Sequence, residues 1–409
     1  MENNLLSCPT FPKKQRDRKP IAVLLVGNYP RDAQESMLRF AQILAGELGD
    51  GTCKPTVIHP CAYFGRWGVD MHRGLTKWLA YIDKFVIFPI ALRLAIQRLS
   101  KAAGDRFVIH ICDHANAPYA LMVGRAPVLV TCHDLLAVRA ALGERTDCEV
   151  SRFGKFFQRW IVSGLSRAAE IACVSTATLG DLKRIVPLAR ESRVHLVPMG
   201  LNYAYGPLSE RTIEERLARL SIPAGPFVLH VGSNHPRKNR EGVLRSFART
   251  SSQWKGFVLF AGNALTTELR ALADSLRISD RVVEIHGPDS ETLEALYNKA
   301  TALLFPSRFE GFGWPIIEAQ ACGCPVICSN SGPLPEVAGE GAWIFPADDE
   351  EGFASAILRL VDPSERTACR RMGFANVERF SMERMIESYR AIYERMVAAH
   401  ESLSVAAPL

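Results

Sequence analysis

The 409-residue sequence lacks the features of membrane-spanning, disulfide-bonded and nucleic-acid-binding proteins. It has no apolar run of the roughly 18 residues that would cross a bilayer, so we expect no transmembrane anchor. Its 11 cysteines lack paired CxxC spacings and follow no recognisable secretory signal, which favours free thiols in a reducing cytoplasm. The net charge of +6 is modest, and the basic residues are scattered except in KKQRDRK at 13–19. Anionic partners therefore fit this chain, whereas nucleic acid is not indicated.

The length and apolar content predict two hydrophobic cores. A chain of 409 residues exceeds what one core usually covers, and 48% hydrophobic residues are enough for two. In the first half, apolar runs typical of buried parallel strands alternate with helical patterns. These runs are IAVLLVG (21–27), FVIHIC (107–112), VLVTC (128–132) and IACVS (171–175). The helical patterns are ESMLRFAQILAGEL (35–48) and TATLGDLKRIV (176–186), the second opening with Thr176 as a suitable cap.

A second series of the same kind follows residues 200–212. Its apolar runs are FVLHVG (227–232), GFVLFAG (256–262), RVVEIHG (281–287), ATALLFP (300–306) and CPVICS (324–329). The economical architecture is α/β, with two doubly wound halves joined near residue 205 and an active site at the carboxyl ends of strands facing a cleft.

The stretch EGFGWPIIE at 310–318 places two carboxylates around a predicted helix start. Pro315 suits a first helical turn, so residues 311–314 should lie at a helix amino terminus, where free N–H groups attract an anion. We expect Glu310 to point into the cleft and Glu318 to lie about one turn into the helix. The alternative is that Glu318 only complements the helix dipole and Glu310 is solvated.

Two basic residues follow an earlier strand in HVGSNHPRKN (230–239). Arg237 and Lys238 could hold a diphosphate through charge-assisted hydrogen bonds. Adjacent basic residues on a loop are usually only solvated, so their order relative to the two glutamates matters more than the pair itself.

From HVGSNHPRKN to the segment ending in IFPADD (344–349), the sequence resembles the retaining nucleotide-sugar glycosyltransferases of family four, which have the GT-B architecture. The resemblance implies that Glu310 lies beside the transferred sugar and phosphates, that Glu318 holds the nucleotide ribose and that Lys238 contacts phosphate. It also implies retention of anomeric configuration without a metal or another cofactor. The donor-binding set is then Ser233, Arg237, Lys238, Gly311, Phe312, Gly313 and Glu318.

The chain departs from the family pattern in two places. Ser233 follows Gly232 where many members have an arginine, so Arg237 is the candidate for the second positive charge. The loop VGNYPRDAQESM (26–37) is polar rather than glycine-rich, with Asn28, Asp32, Gln34 and Ser36 after Gly27. Contact between this half and the donor phosphates is left open, although Ser36 could cap the following helix and present its N–H groups.

Histidines at predicted strand ends are further candidates. His133, followed by Asp134, matches the cleft histidine of the family, and we take it as a catalytic residue with Glu310 and Lys238. The alternative is a neutral histidine satisfied by the backbone. His114 lies in a similar loop, with both interpretations equally open.

Other segments of the chain have a structural interpretation. In VSTATLGDL (174–182), Ser175 and Thr178 are expected as turn and cap residues. RGLTKWLAYIDKFVIFPIALRLAIQRLSK (73–101) has the composition of a helix that rests on an anionic membrane, but Pro89 favours internal packing. CGCPVIC (322–328) lies where the family turns from helix into strand, so we expect no metal there.

The sequence therefore predicts a hexosyltransferase of polysaccharide biosynthesis, moving mannose or another hexose from a nucleotide-diphosphate sugar to a glycan or lipid-linked acceptor. We expect an acceptor-side domain at 1–204, a donor domain at 205–380 and a helix at 381–409 that packs back on the first domain. The expected location is the cytoplasm, with peripheral contact at the inner face of the cytoplasmic membrane as an open alternative. A GT-B-type nucleotide-sugar epimerase and a non-catalytic nucleotide-sugar-binding protein are the rival functions. A dinucleotide-dependent oxidoreductase is disfavoured because GFGWPI lacks the third glycine of the phosphate fingerprint.

Overall fold

The computed structural model describes residues 19–32, 34–49, 51–65, 74–148, 150–186 and 191–406. Most of the basic run KKQRDRK, at 13–18, lies outside these ranges, as does Arg73.

The first part of the chain forms a six-stranded parallel sheet. Its strand order is β2-β1-β3-β4-β5-β6, so the chain moves from β1 to one edge and then returns to the other side of β1. The strands are β1 (Ile21–Val26), β2 (Cys53–Ile58), β3 (Phe107–Ile111), β4 (Val128–Cys132), β5 (Glu170–Cys173) and β6 (Val194–Leu196). β1, β3 and β4 are buried along their whole length, as their continuous apolar runs require.

The second part forms another six-stranded parallel sheet. Its order is β12-β11-β10-β7-β8-β9, and the direction of winding reverses between β7 and β10. The strands are β7 (Phe227–Gly232), β8 (Phe257–Gly262), β9 (Val282–His286), β10 (Ala302–Phe305), β11 (Val326–Ser329) and β12 (Ala342–Phe345). The predicted fold, two doubly wound α/β halves of the GT-B type, is therefore confirmed.

Helices cover both faces of the two sheets. In the first part they are α1 (Glu35–Glu47), α2 (Gly74–Ile82), α3 (Phe88–Ala103), α4 (Leu136–Ala141), α5 (Arg152–Arg167) and α6 (Thr176–Ile185). In the rest of the chain they are α7 (Glu210–Leu217), α8 (Arg240–Thr250), α9 (Thr267–Ser275), α10 (Ser290–Lys299), α11 (Trp314–Ala321), α12 (Leu334–Ala338), α13 (Glu350–Arg359), α14 (Pro363–Val377) and α15 (Met382–Ala406).

Two predicted helix caps are wrong. α6 is capped by Ser175, whose hydroxyl accepts from the N–H of Thr178, whereas Thr176 is already the first helical residue. α1 begins at Glu35, so Ser36 lies inside its first turn and cannot cap it; Gln34 holds the cap position without a side-chain bond to the helix.

Pro89 does not interrupt the helical segment as the sequence suggested. A π-helical turn, Asp83–Ile87, joins α2 directly to α3, and Pro89 lies in the first turn of α3, where an N–H is not required. The three pieces form one continuous helical run from residue 74 to residue 103.

The last helix crosses from the second sheet back to the first. Tyr393 on α15 forms a 2.7 Å hydrogen bond with Nδ1 of His110 on β3, and the Tyr389 hydroxyl lies 2.9 Å from that of Thr131 on β4. All four residues are buried. α15 therefore contributes to the core beneath the first sheet. Within the described part of the chain, no helix has both the length and the apolarity needed to cross a membrane.

Candidate active site

A cleft of about 760 Å³ opens between the carboxyl ends of the two sheets. Its walls include His133 after β4, Ser233 and Lys238 after β7, and Glu310 after β10. β7 and β10 are neighbours at the point where the second sheet reverses its winding. Ligands of doubly wound proteins bind at such a point, because the loops on either side leave in opposite directions and open a crevice.

The turn after β7 is fixed in place by Asn239. Residues Pro236–Lys238 form a single 3-10 turn, and Asn239 follows in the left-handed conformation with φ 51°. Its side-chain amide donates to the carbonyl oxygens of Pro306 and Ala347 at 3.2 and 2.9 Å, and its Oδ1 accepts from the N–H of Gly242. The buried Asn239 therefore ties the turn that carries the two cations to the loop after β10.

Glu310 forms ion pairs with both cations of this turn. Its Oε1 lies 2.6 Å from Nζ of Lys238 and its Oε2 lies 2.6 Å from a guanidinium nitrogen of Arg237. Burial acts to raise the pKa of Glu310, but the positive charges of Lys238 and Arg237 outweigh it and hold the pKa below its ordinary value. The carboxylate is therefore ionised at neutral pH, and the three groups together carry one net positive charge.

The two cations respond differently to this environment. Burial lowers the pKa of Lys238, with only partial compensation from Glu310. Burial acts in the same direction on Arg237, but attraction to Glu310 gives a net rise in its pKa. The ammonium of Lys238 also lies 5.1 Å from the centre of the Phe305 ring, which favours the charged form. Both cations face the cleft with limited access to water, where charge-assisted contacts to an anion are strongest.

The loop between Glu310 and α11 packs directly against the first sheet. A Cβ on Gly311 would lie 2.2 Å from the carbonyl oxygen of His133, so only glycine fits there. The Ser175 hydroxyl, from the end of β5, donates to the Gly311 carbonyl over 3.0 Å. Gly313 adopts φ 104° at the cap of α11, and Phe312 packs edge-on against Phe380. The glycines thus bring the amino terminus of α11 to the floor of the cleft, as the sequence predicted.

Glu318 lies just over one turn into α11, with its carboxylate held on both sides. Its Oε1 accepts from the side-chain amide of Asn202 and its Oε2 from the hydroxyl of Tyr297, each over 2.9 Å. Burial raises the pKa of Glu318, although these hydrogen bonds and the charge of Arg39 act in the opposite direction. The Glu310 side chain is only 7% exposed and is therefore not simply solvated, and Glu318 lies buried beyond the first turn of α11, where it does not complement the helix dipole.

His133 lies on the opposite wall of the cleft. Its Nε2 donates to the carbonyl oxygen of Cys112 over 2.8 Å, and its ring packs edge-on against Phe40. Burial lowers the pKa of His133, which keeps the imidazole neutral at pH 7. With Nε2 engaged by the backbone, Nδ1 is the nitrogen with an acceptor lone pair. His133 therefore combines a backbone bond, as in the alternative interpretation, with a place in the cleft wall.

The polar loop after β1 uses most of its side chains internally. The Asn28 amide donates to Asp113 over 2.6 Å, and Asp32 forms a 2.7 Å ion pair with Lys84. Gln34 accepts from Asn28. Ser36 is the one of the four polar residues of this loop that lines the cleft. His114 pairs with Asp113 at 3.2 Å and belongs to this network rather than to the cleft wall.

Two cleft residues and one buried residue behind the cleft were not singled out from the sequence. Arg39 extends from the second turn of α1 and Asn202 lies after the first sheet, and both line the cleft, whereas the buried Tyr297 supports Glu318 from α10. Each belongs to a segment without a motif, and only folding brings it near Glu318. Asn202 could have been suspected from its place in the connection between the two sheets.

The cysteines of CGCPVIC are core residues. Cys322, Cys324 and Cys328 are buried, and burial raises the pKa of both Cys324 and Cys328 to about 12. Thiols of this kind are poor metal ligands at neutral pH because the thiolate is the ligating form. Among the described residues, no group of three or more His, Cys, Asp or Glu side chains could hold a metal ion.

The second part of the chain matches a known protein family. Residues 213–375 match the family model described as glycosyl transferases group 1. The matched segment contains Arg237, Lys238, Glu310 and Glu318.

The curated relatives are transferases of sugars by name. The chain is 30% identical over 300 residues to a D-inositol 3-phosphate glycosyltransferase of Acidothermus cellulolyticus, covering 68% of this chain and 65% of the relative. It is 28% identical over 235 residues to the O-antigen chain mannosyltransferase B of Escherichia coli, covering 56% of this chain and 61% of the relative. The chain thus spans somewhat less than two thirds of the length of these two relatives.

A solved structure shows the same fold over nearly the whole chain. The Anabaena protein HepE, in complex with UDP and glucose, superimposes with a TM-score of 0.68 at 14% identity, covering 92% of this chain and all of that one.

Proposed function

We propose, from the match of residues 213–375 to the group 1 glycosyl transferases, that the protein transfers a sugar from a nucleotide-diphosphate sugar to an acceptor. The products are the glycosylated acceptor and a free nucleoside diphosphate. We propose retention of the anomeric configuration and no metal requirement.

The observation that carries this proposal is the contact of Glu310 with Lys238 and Arg237 at the winding reversal of the second sheet. Breaking a glycosyl phosphate bond develops negative charge on the diphosphate and positive charge on the sugar. The site therefore needs cations at one end and an acceptor group at the other. Lys238, Arg237 and the amino terminus of α11 provide the first, and the Glu310 carboxylate provides the second.

The ion pairs suggest how binding prepares the site. A diphosphate entering the cleft competes with Glu310 for the two cations, because its oxygens accept the same hydrogen bonds. Glu310 then exchanges part of its contact with them for contact with the sugar. We propose that Ser233 and the backbone from Gly311 to Gly313 contact the donor, and that Glu318 accepts hydrogen bonds from the ribose hydroxyls.

Retention is proposed to proceed by a same-face displacement. A double displacement would need a carboxylate placed as a nucleophile beside the sugar. Glu318 is held by Tyr297 and Asn202, and Glu310 is proposed to keep part of its contact with the two cations while it stabilises charge on the sugar, so we assign neither as a nucleophile. In a same-face reaction the departing phosphate can take the acceptor proton, and neutral His133 positions the sugar or the acceptor hydroxyl.

The relatives guide the choice of substrate. Mannose, or another hexose, is the proposed sugar because one relative is an O-antigen chain mannosyltransferase by name. A nucleoside diphosphate fits the comparison with the HepE complex, which contains UDP. The proposed acceptor is a glycan or a lipid-linked sugar in polysaccharide biosynthesis, bound on the side of residues 1–204, with the donor on residues 205–380. The proposed location is the cytoplasm, with peripheral contact at the inner face of the membrane.

Product analysis with a panel of nucleotide sugars tests the proposal. The protein is incubated with each UDP- and GDP-sugar without acceptor, and free nucleoside diphosphate is measured. We expect slow hydrolysis of at least one donor. An epimerase would instead return a nucleotide still attached to a different sugar, and a binding protein would retain the donor without turnover.

A further inference from the structure

The helical run at 74–103 presents a stripe of exposed apolar side chains. The stripe repeats every four residues and consists of Trp78, Ile82, Val86, Ile90 and Leu94. Val86 and Ile90 are the most exposed of the five, at 59% and 60%. A four-residue repeat drifts by about 40° per step around an α-helix, and the wider π turn at Asp83–Ile87 counters part of that drift.

The π turn also explains how the run continues through a proline. The N–H of Phe88 donates to the carbonyl oxygen of Asp83, five residues earlier. The next donor in that register would be Pro89, which has no N–H, and the Lys84 carbonyl accepts from the hydroxyl of Tyr119 over 3.0 Å instead. The exposed stripe is therefore held on a helix whose backbone is anchored to the interior.

A second helix extends this apolar surface. Phe153 and Phe156 near the start of α5 are exposed, and the ring of Phe153 packs 4.9 Å from that of Trp78. Between the two helices lies an open groove of about 280 Å³ with almost wholly apolar walls, including Tyr81 and Trp160. We refer to the stripe, Phe153, Phe156 and this groove as the aromatic face.

The helices that form the aromatic face are strongly basic. Their Lys and Arg residues are Lys77, Lys84, Arg93, Arg98, Lys101, Arg152, Lys155, Arg159 and Arg167. Their one acidic residue, Asp83, is fully buried and accepts from Tyr29 and from the N–H groups of Phe64 and Gly65.

Among the residues that the structure describes, Lys84 is the one cation of this set that forms an ion pair. Lys84 pairs with Asp32. By contrast, Arg93 and Arg167 donate to the carbonyl oxygens of Met122 and Gly124, which satisfies hydrogen bonds without neutralising charge. Arg152, Lys155 and Arg159 are exposed on α5 beside Phe153 and Phe156. The face thus combines exposed apolar groups with a surplus of positive charge.

We propose that the aromatic face docks the protein on an anionic lipid bilayer. Apolar side chains of this kind enter the headgroup region, while the basic residues around them meet the lipid phosphates. A second copy of the chain is a poorer occupant because it would bring the same surplus of positive charge against the first. The aromatic face is the surface that would make the peripheral membrane contact proposed above. Binding of the bilayer by this face does not depend on donor binding or on sugar transfer.

Vesicle flotation of the full chain tests this proposal. Vesicles of phosphatidylcholine alone are compared with vesicles containing about one third phosphatidylglycerol. We expect the protein to float with the anionic vesicles and to be released by high salt, because surface attraction is screened. Val86→Glu should lose most of this binding, whereas the matched control Val361→Glu, at a position 48% exposed elsewhere on the chain, should keep it.

The second part of the experiment removes two positive charges from the aromatic face. Lys155→Gln with Arg159→Gln should weaken binding by roughly 25-fold, since each basic residue near an anionic surface contributes about fivefold. Arg219→Gln with Lys299→Gln removes the same charges from exposed positions in the second half and should have no effect. Equal flotation with both vesicle types, or unchanged flotation of Val86→Glu, would overturn the proposal. Sedimentation showing a dimer that Val86→Glu dissociates, without vesicle binding, would assign the face to self-association instead. Donor hydrolysis is measured without vesicles on the same preparation. It tests the proposed transfer, whereas flotation tests docking on the membrane, so failure of one proposal is distinguished from failure of the other.

Discussion

Nζ of Lys238 lies 2.6 Å from Oε1 of Glu310, and this pair joins the turn after β7 to the loop after β10. The side chains of both residues are largely buried, so neither charge is well solvated. An ion pair at such a position contributes little net stability, because desolvation offsets most of the attraction. The ion pair is better explained by function: in the proposed site, Lys238 exchanges its contact with Glu310 for contact with the diphosphate.

The two glutamates are expected to divide binding from turnover. Glu318→Ala should weaken nucleoside diphosphate binding, since it removes the proposed acceptor of the ribose hydroxyls. Glu310→Gln should lower turnover more than affinity, because its carboxylate is proposed to act on the reacting sugar. Calorimetry and single-turnover kinetics on the same preparations separate the two effects. Nucleotide binding by Glu318→Ala at the wild-type affinity would remove Glu318 from the ribose site.

The pKa of Glu318 predicts a pH dependence of nucleotide affinity. Ribose hydroxyls donate to a carboxylate, so affinity should fall as the pH drops through the pKa of Glu318, which lies above the ordinary value. Tyr297→Phe removes a hydrogen bond that lowers this pKa and should move the fall in affinity to higher pH. Tyr203→Phe is the control, because the Tyr203 ring packs against Tyr205, which in turn packs against Tyr297. Titrations over a pH series measure the midpoint, and an unmoved midpoint in Tyr297→Phe would contradict the assignment.

His133→Ala should lose transfer while retaining most nucleotide affinity. His133 follows a strand of the first sheet, whereas the proposed donor contacts come from the second sheet. We therefore expect His133 to contact the sugar or the acceptor rather than the nucleotide, and to stabilise the transition state of transfer. His110→Ala is the contrasting control, because His110 is buried between Tyr393 and Thr131. Its loss should lower the melting temperature and impair binding and transfer together. A His133→Ala variant with normal melting and normal transfer would leave the acceptor side without a named residue.

Gly311→Ala should impair both binding and transfer. The added Cβ would collide with the carbonyl oxygen of His133, which forces the loop after Glu310 away from the first sheet. Gly180→Ala is the matched control: a Cβ there meets no atom within 4 Å, and its helical position should stabilise the protein by about 0.5–1 kcal/mol. Thermal unfolding and calorimetry compare the two. Normal binding and transfer by Gly311→Ala would show that the close approach of the loop to the first sheet is not needed.

The central strands and the edge strand β9 could be predicted from the sequence, but the other three edge strands could not. β1, β3 and β4 are continuous apolar runs because both faces of each strand are covered. β2 is an edge strand with Pro55 and exposed positions, so its sequence CKPTVI gives no such run. β6 has three residues, and β12 is also an edge strand that is only partly buried.

The candidate site shows the same limit. The order of the basic pair and the two glutamates along the chain predicted that these residues lie at one cleft, because each motif follows a strand of the second sheet. The partners of Glu318 could not be predicted this way. Asn202 and Tyr297 reach it from segments 116 and 21 residues away, and no local pattern records that distance. Ser175 caps α6 as one interpretation of VSTATLGDL expected, whereas Thr176 and Ser36 are not caps, because a hydroxyl inside a first turn cannot be distinguished from a cap by sequence alone.

The release of nucleoside diphosphate by Lys238→Ala tests the central claim most directly. The variant and wild type are given the nucleotide sugar that the wild type hydrolyses fastest, with Lys299→Ala as an exposed control, and diphosphate release and binding are measured together. We predict no detectable release by Lys238→Ala and a loss of about 1.5–3 kcal/mol in diphosphate binding, roughly 10- to 150-fold, with the control unchanged. Release and affinity equal to wild type in a folded Lys238→Ala variant would contradict a transfer site built on the contact between Lys238 and Glu310.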